Sequence, residues 1–305
     1  MPFPRSGAWR QAGERRTEGT DQEICTHLKP GQTIIACRPW ASGTPRSAAF
    51  VICPRACCAR ILRARQRMSS PIGIGPAYNG RAMKPPTTTA QFDHVYWIGG
   101  SPCAGKTSVA AAIVARFGMT SYNCDDAFEI HERIVDPGQF PTLHRLSRHS
   151  CDDLWMRSID RQIREEGELY REEFSLILDD LGNLPSTRPI LAEGSALMPE
   201  LLETLNLPNH RAIWLVPTPE FQRAHYARRD WVPTFLADCT DQAQAWHNWM
   251  ERDIGFAALV ADRARALDRT LITVDGSQPL GAILDQVLVH FGLANLDPAC
   301  ETLDA

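Results

Sequence analysis

The chain has 305 residues and a net charge of −4, with 44% hydrophobic and 22% charged residues, values of an ordinary globular protein rather than a fibrous or low-complexity one. No uninterrupted apolar run approaches the ~18 residues of a membrane-spanning helix, and the opening MPFPRSGAWRQAGERR lacks the apolar stretch of a secretory signal. The charge average excludes a globally basic nucleic-acid binder, but it hides two unlike parts.

Residues 1–90 carry 14 Lys and Arg against 4 Asp and Glu, whereas residues 91–305 carry 18 against 32. Pro and Gly fill 18 of the first 90 positions. No helical or strand period is sustained there. Only 47–67 reads as a short basic helix, and Pro54 interrupts it. Such a stretch buries too little apolar surface to offset its ordering entropy. Residues 1–90 are therefore expected to be a disordered basic leader, an interaction arm, or sequence upstream of the true start, with Met83 as a candidate native N-terminus. Five cysteines fall here (Cys25, Cys37, Cys53, Cys57, Cys58) and five beyond (Cys103, Cys124, Cys151, Cys239, Cys300). No CxxC pair or matching His/Cys cluster forms a zinc set. The scattered singles read as free thiols of a cytoplasmic protein.

Residues 94–98, HVYWI, are a short β-branched and aromatic run that reads as a buried strand. The run GGSPCAGKT follows at 99–107, and Gly100 to Thr107 fits G-x-x-x-x-G-K-[ST] without a mismatch. An Ala-rich helix at 108–117 comes next, with Gly118 as its stop. The order has a chemical reason. Glycines let the backbone curl so that successive N–H groups, with the helix N-terminus, face one phosphate. The phosphate cradle is then Gly100, Ser101, Pro102, Cys103, Ala104, Gly105, Lys106, Thr107 and Ser108. Lys106 reaches the β- and γ-phosphates, and the Thr107 hydroxyl ligates Mg²⁺.

Four more strands are predicted, at 119–124, 189–193, 211–216 and 270–275, with a closing helix at 280–291. Between them, helices are expected at 127–135, 152–167, 168–181, 219–230 and along 241–268. Strands separated by helical crossovers imply a parallel sheet covered on both faces. Ligands then sit beyond the strand C-terminal ends, where Asp125 and Asp126, Glu193, and Gly276 and Ser277 fall. Either aspartate would also cap the helix at 127–135, and Ser277 reads as the cap of the last helix.

In GGSPCAGKTS, YNCDDAF, ILAEGSALMP, the Arg-rich stretch 223–229 and ITVDGS, the chain resembles the adenylate-kinase-like P-loop kinases, whose better-known relatives are the shikimate, gluconate and chloramphenicol phosphotransferases. The resemblance covers about 92–295. It implies a P-loop NTPase three-layer α/β sandwich with a five-stranded parallel sheet in the order 2-3-1-4-5 and a mobile lid after strand four. It implies ATP and Mg²⁺ as cofactors. It also implies that Asp125 and Asp126 meet the acceptor hydroxyl or the metal, that Glu193 lies near Mg²⁺ in place of the usual acidic aspartate, and that Gly276 and Ser277 lie on the adenine side. Arg228 and Arg229 are the foremost lid arginines, with Arg223 and Arg252 as further candidates.

The 60 or so residues between Asp126 and strand three exceed a minimal crossover and are expected to hold the acceptor. His131, His144, His149 and several arginines lie there, including Arg145, Arg157 and Arg161. Leu154, Trp155, Ile159 and Ile163 form an apolar stripe read as core, and the arginines on the same helix read as solvated and paired with Glu165, Glu166 and Glu172; a basic cluster facing the crevice would suit a phosphorylated or carboxylated acceptor. No metal spacing supports His225 or His247. The expected activity is transfer of the ATP γ-phosphoryl group to a hydroxyl of a small molecule. No nucleic-acid or membrane partner is expected. The alternatives are an ATP-hydrolysing regulator without an acceptor and a binding module with a vestigial site.

Overall fold

The computed structural model describes residues 89–296. The expected leader, save its last two residues, and the expected tail at 297–305 lie outside the described residues. Strands β1 (Val95–Gly100), β2 (Thr120–Asn123), β3 (Ile190–Glu193), β4 (Ala212–Pro217) and β5 (Leu271–Val274) form one sheet in the order β2-β3-β1-β4-β5. Every pairing is parallel. The central strands β1, β3 and β4 are buried almost throughout, as a parallel sheet covered on both faces requires.

Strand alternation divides the side chains between two cores. Val95, Trp97, Ile190, Ala192, Ala212, Trp214 and Val216 face one of them, which is completed by the helices α5 (Ile159–Asn183) and α9 (Gln242–Ala266). Ile98, Leu191, Ile213, Leu215 and Val274 face the other, against α1 (Lys106–Phe117) and α10 (Leu280–His290). The two long helices α5 and α9 cross at Gly255, where an added Cβ would overlap the Ile163 side chain.

Several boundaries differ from the sequence reading. Helix α2 (Cys124–Ile134) begins directly at the end of β2, with Asn123 as its cap, the Asn123 side chain accepting from the Asp126 N–H. Asp125 and Asp126 therefore sit in its first turn and do not cap it. The break expected at Gly167 is absent: α5 runs unbroken for 25 residues, because burial of that glycine against the first core outweighs its weak helix propensity. It is preceded by two short helices, α3 (Pro141–Leu146) and α4 (Cys151–Trp155). The Glu172 carboxylate accepts from the N–H groups of Thr142 and Leu143 at 3.0 and 2.8 Å, closing the N-terminus of α3 across the fold. After β3 comes α6 (Pro199–Glu203). After β4 come α7 (Pro219–Tyr226), shorter than expected, and α8 (Val232–Phe235). The last helix is capped at Pro279 rather than at Ser277, which instead closes a turn on Asp275.

The segment after β4, expected as a mobile lid, is packed in a third core. Trp249 of α9 is its hub, with ring centroids of Tyr226 and Phe235 at 4.9 Å, Trp155 at 5.2 Å and Trp231 at 5.8 Å. A disulfide joins Cys151 of α4 to Cys239, with their Cα atoms 5.1 Å apart. This corrects the reading of these two cysteines as free thiols. They are 88 residues apart in sequence, and spacing carried no sign of the pairing. Disulfides belong to oxidising surroundings more than to a reducing cytoplasm, so the thiol argument for a cytoplasmic protein fails. Cys103 and Cys124 are free. No helix among the described residues is long and apolar enough to cross a membrane.

Replacing Trp249 by Ala is expected to lower the unfolding free energy by about 3–5 kcal/mol, the cost of emptying a large aromatic site. Urea unfolding followed by circular dichroism measures it. A loss below about 1 kcal/mol would mean that the third core contributes little.

Candidate active site

The loop 100–107 leaves β1 at a point where its backbone touches β4. Gly100 has φ 131°, and any Cβ there would run into the Leu215 carbonyl. The Ser101 N–H donates to that same carbonyl at 3.2 Å. Cys103 holds a left-handed φ of 65°, unusual for a residue with a side chain, and its thiol packs against the third core. Gly105, φ 81°, brings the chain into α1. Lys106 is buried, and its ammonium donates to the Ser101 carbonyl at 2.8 Å and to Ser195 Oγ at 3.3 Å. It is thus curled back inside the loop, with Thr107 exposed beside it.

The sheet register brings β3 to the same point. Glu193 pairs with Ile98 of β1 on one side and Asn123 of β2 on the other. Its carboxylate accepts from the Asn123 amide and from the Thr107 hydroxyl. Burial raises its pKa to about 7 and the nearby Asp125 carboxylate adds to this, while Lys106 and Thr107 pull it down. Lys106, Thr107, Asp125 and Glu193 therefore meet at the ends of three adjacent strands. Asp126 is exposed, and its charge acts on Glu193 less than that of Asp125 does. No set of three or more His, Cys, Asp or Glu among the described residues forms a metal cluster. Thr107 and the Glu193 and Asp125 carboxylates are oxygen donors, which suit Mg²⁺, an ion that keeps several waters and takes only one or two carboxylates.

The candidate arginines separate. Arg229 lies over the rings of Tyr226, at 4.6 Å, and Trp231, at 5.6 Å, and its charge acts on the Cys103 thiol of the loop. Arg228 is exposed, and its charge is felt at His225. Arg223 pairs with Glu251 at the surface. Arg252 is buried, paired with Glu166 and with Asp253 at 2.7 Å, and stands 5.1 Å from the Trp155 ring. On the other side of the loop, Leu280 packs 3.7 Å from where a Gly105 Cβ would be. Leu280, at the first turn of α10, is thus beside the start of α1, while the turn at Gly276 packs against Phe221.

Beyond Asp125 lies a cavity of about 90 Å³. A single water needs about 10–15 Å³ of such room, so the space suits a group of several heavy atoms. Asp125, Phe128, Trp155, Tyr170, Glu173 and Arg252 line it, with residues of α4 and α5 around them. Leu154 and Trp155, read as core, are also cavity wall. Glu165 gathers Arg157 and Arg161, as expected, and also Arg145 from α3, which its place in the sequence did not suggest. The sequence reading missed Glu173. It is buried in α5, with His131 Nδ1 3.3 Å from its carboxylate, while His131 Nε2 lies 3.1 Å from Asp180. The Tyr122 hydroxyl donates to the same Asp180 oxygen at 2.8 Å. Burial opposes a charge on His131, but the bonds to Asp180 and Glu173 outweigh it and raise its pKa to about 9. The heptad-like spacing of Tyr170, Glu173 and Ile177 along α5 was the available signal that Glu173 faces inward.

No protein-family model matches the chain, and no curated protein matches it. One solved structure that aligns with it is a crystal structure of "a putative kinase" from Chloroflexus aurantiacus, 16% identical, covering 64% of this chain and 97% of that one with a TM-score of 0.30. A likeness at that score carries no argument about fold or function, and both rest on the geometry above.

The His131 network has a pH signature. Its folded pKa, about 9 against an ordinary 6.5, lies above the unfolded value, so its stabilisation is full below pH 6.5 and is lost as pH rises through 9. The unfolding free energy is expected to fall across that window, and a His131→Gln variant should lack this part of the fall. Urea titrations at fixed pH values test it; parallel pH profiles for the two proteins would refute it.

Proposed function

We propose that the chain is a phosphotransferase that moves the γ-phosphoryl group of ATP to a hydroxyl of a small molecule held in the cavity beside Asp125. Asp125 carries this reading. It lines the cavity and also lies within electrostatic reach of Glu193, beside the loop. A carboxylate at that seam faces a nucleotide's phosphates on one side and an acceptor on the other.

The N–H groups of Cys103 to Ser108, after the turn at Gly100, Ser101 and Pro102, cradle the phosphates together with the N-terminus of α1. Lys106 exchanges its bonds to Ser101 and Ser195 for phosphate oxygens. Thr107 and Glu193 would hold Mg²⁺, with Asp126 as a further oxygen donor nearby. The ion, when bound, neutralises charge on the transferring group. Asp125 orients the acceptor hydroxyl and takes its proton as the hydroxyl oxygen bonds to the γ-phosphorus. The bond from that phosphorus to the bridging oxygen breaks, and ADP leaves with the electron pair. Arg229, beside the loop, stabilises the charge spread over the equatorial oxygens, with Arg228 next to it. Gly276 and Ser277 contact the base. A regulator without an acceptor would leave the cavity next to Asp125 without a use.

Three variants test the assignment in an ADP-release assay run with and without a panel of small alcohols, sugars, antibiotics and nucleoside monophosphates. Lys106→Ala is expected to abolish turnover with the fold intact; wild-type activity would end the phosphate-loop reading. Asp125→Asn should lower kcat with ATP affinity preserved, and a change in thermal stability alone would reduce Asp125 to a structural residue. Arg229→Ala should lower kcat by roughly a hundredfold, the loss typical of one transition-state donor. Arg228→Ala is expected to have the smaller effect; the reverse order would reassign the pair. Hydrolysis unaffected by every acceptor would point to the regulator.

A further inference from the structure

The disulfide stands behind one wall of the cavity. Cys151 opens α4, which supplies Leu154 and Trp155 to the lining, and Cys239 follows α8, which supplies Phe235. The rings of Trp155 and Phe235 meet with their centroids 5.8 Å apart. Nearer the surface, the Thr240 N–H donates to Asp152 Oδ1 at 2.9 Å. Of these ties between the two segments, the disulfide alone is covalent.

The backbone bonds of the α8 side are local among the described residues: the Val232 N–H donates to Arg229, that of Phe235 to Trp231, that of Leu236 to Val232 and that of Cys239 to Leu236. Its apolar side chains Val232, Phe235 and Leu236 are buried, so packing and the cross-link hold it in place. Segments whose backbone bonds are local open at a small fraction of the global unfolding free energy. Helix α7 is held differently, because the Tyr226 hydroxyl donates to the buried Asp253 at 3.0 Å and anchors the end of α7 to α9. Arg229 lies over both Tyr226, which is anchored, and Trp231, which leads into α8.

We propose that the Cys151–Cys239 bond is a redox latch on the cavity. In the disulfide form α8 is held against α4; in the dithiol form the 231–240 segment opens away from α4, and Arg229 loses the Trp231 side of its seat. Cys239 is the point of entry. Its neighbours Ala237, Asp238, Thr240 and Asp241 are exposed, and a local opening of this turn uncovers its sulfur. One thiolate of a small dithiol attacks Cys239 Sγ, and Cys151 leaves as a thiolate. The second thiolate of the reagent then displaces Cys239 from the mixed disulfide. Two electrons and the two thiol protons of the reagent end on the cysteines, and the dithiol becomes a cyclic disulfide. Control of turnover by this latch rests on the phosphotransferase reading; the latch itself rests on the packing alone.

Hydrogen exchange of the full chain, followed by mass spectrometry in oxidised and in reduced dithiothreitol, tests it, with the state of Cys151 and Cys239 verified by alkylation and peptide mapping. On reduction, the amides of 231–240 are expected to exchange at least roughly tenfold faster, while those of α1 and α10, in the second core, change by less than about twofold. The double variant Cys151→Ala/Cys239→Ala should show the reduced pattern in both media; reduced wild type carries the test if that variant does not fold. Equal exchange in the two media, an equal rise in α1 and α10, a response of the double variant to dithiothreitol, or a bond that yields only after denaturation would overturn the latch. Neither ATP nor an acceptor enters this measurement. In the ADP-release assay, reduction should lower kcat by roughly three- to tenfold, short of the loss for Arg229→Ala, with the KM for ATP unchanged. An unchanged or raised kcat alongside faster exchange would overturn the control of turnover. Absence of Lys106-dependent turnover in both forms would remove phosphotransfer and leave the latch to the exchange result.

Discussion

A carboxylate at the centre of a parallel sheet has to be compensated where it stands, and Glu193 sets much of the local arrangement. It is 2% exposed, and taking such a group out of water costs several kcal/mol when ionised. The compensation comes from both neighbouring strands and from the loop: the Asn123 amide, the Thr107 hydroxyl and the Lys106 ammonium. Those partners can reach it only because β3 lies between β1 and β2. The strand order therefore decides which side chains share the space above the sheet. Burial lifts the Glu193 pKa to about 7, and the Asp125 carboxylate nearby adds to that rise.

The cavity beyond Asp125 is built on a different principle. Its charges are spent on each other, in the Glu165 group, the Arg252 group and the chain from Glu173 through His131 to Asp180. Beside Asp125, what remains on the wall is aromatic and aliphatic surface, from Phe128, Trp155, Tyr170, Leu146, Leu154 and Leu169. The third core supports this wall from behind, since Trp155 and Phe235 belong to both. Changes in the aromatic cluster are consequently transmitted to the cavity by direct packing, without any need for a longer route.

The sequence was most informative where local chemistry and periodicity agree. All five strands fall within two residues of their expected places, because short β-branched runs next to glycine or aspartate have few other readings. The strand order came from the family resemblance, and the sheet has that order. The strand before the loop 100–107 and the helix after it were equally legible. The helix starts were less so: Asn123 caps α2 from the end of a strand, a dual role that favoured Asp125 or Asp126 as the cap when read locally. The uninterrupted α5 was hidden because Gly167 looks like a stop until tertiary packing is known. The cavity was hidden for a different reason. Its wall draws on residues from Asp125 to Arg252 in several separate elements, and no single window contains the pattern. The pairing of Arg252 with Glu166, 86 positions away, is of the same kind.

The bond between Cys151 and Cys239 turns the intervening polypeptide into a covalent ring. That ring includes two of the five strands, β3 and β4, together with α5 and α7. A protease that nicks the turn between α5 and β3 would not release a fragment. The two pieces would remain one molecule, migrating together on a gel, until a thiol reductant opened the link.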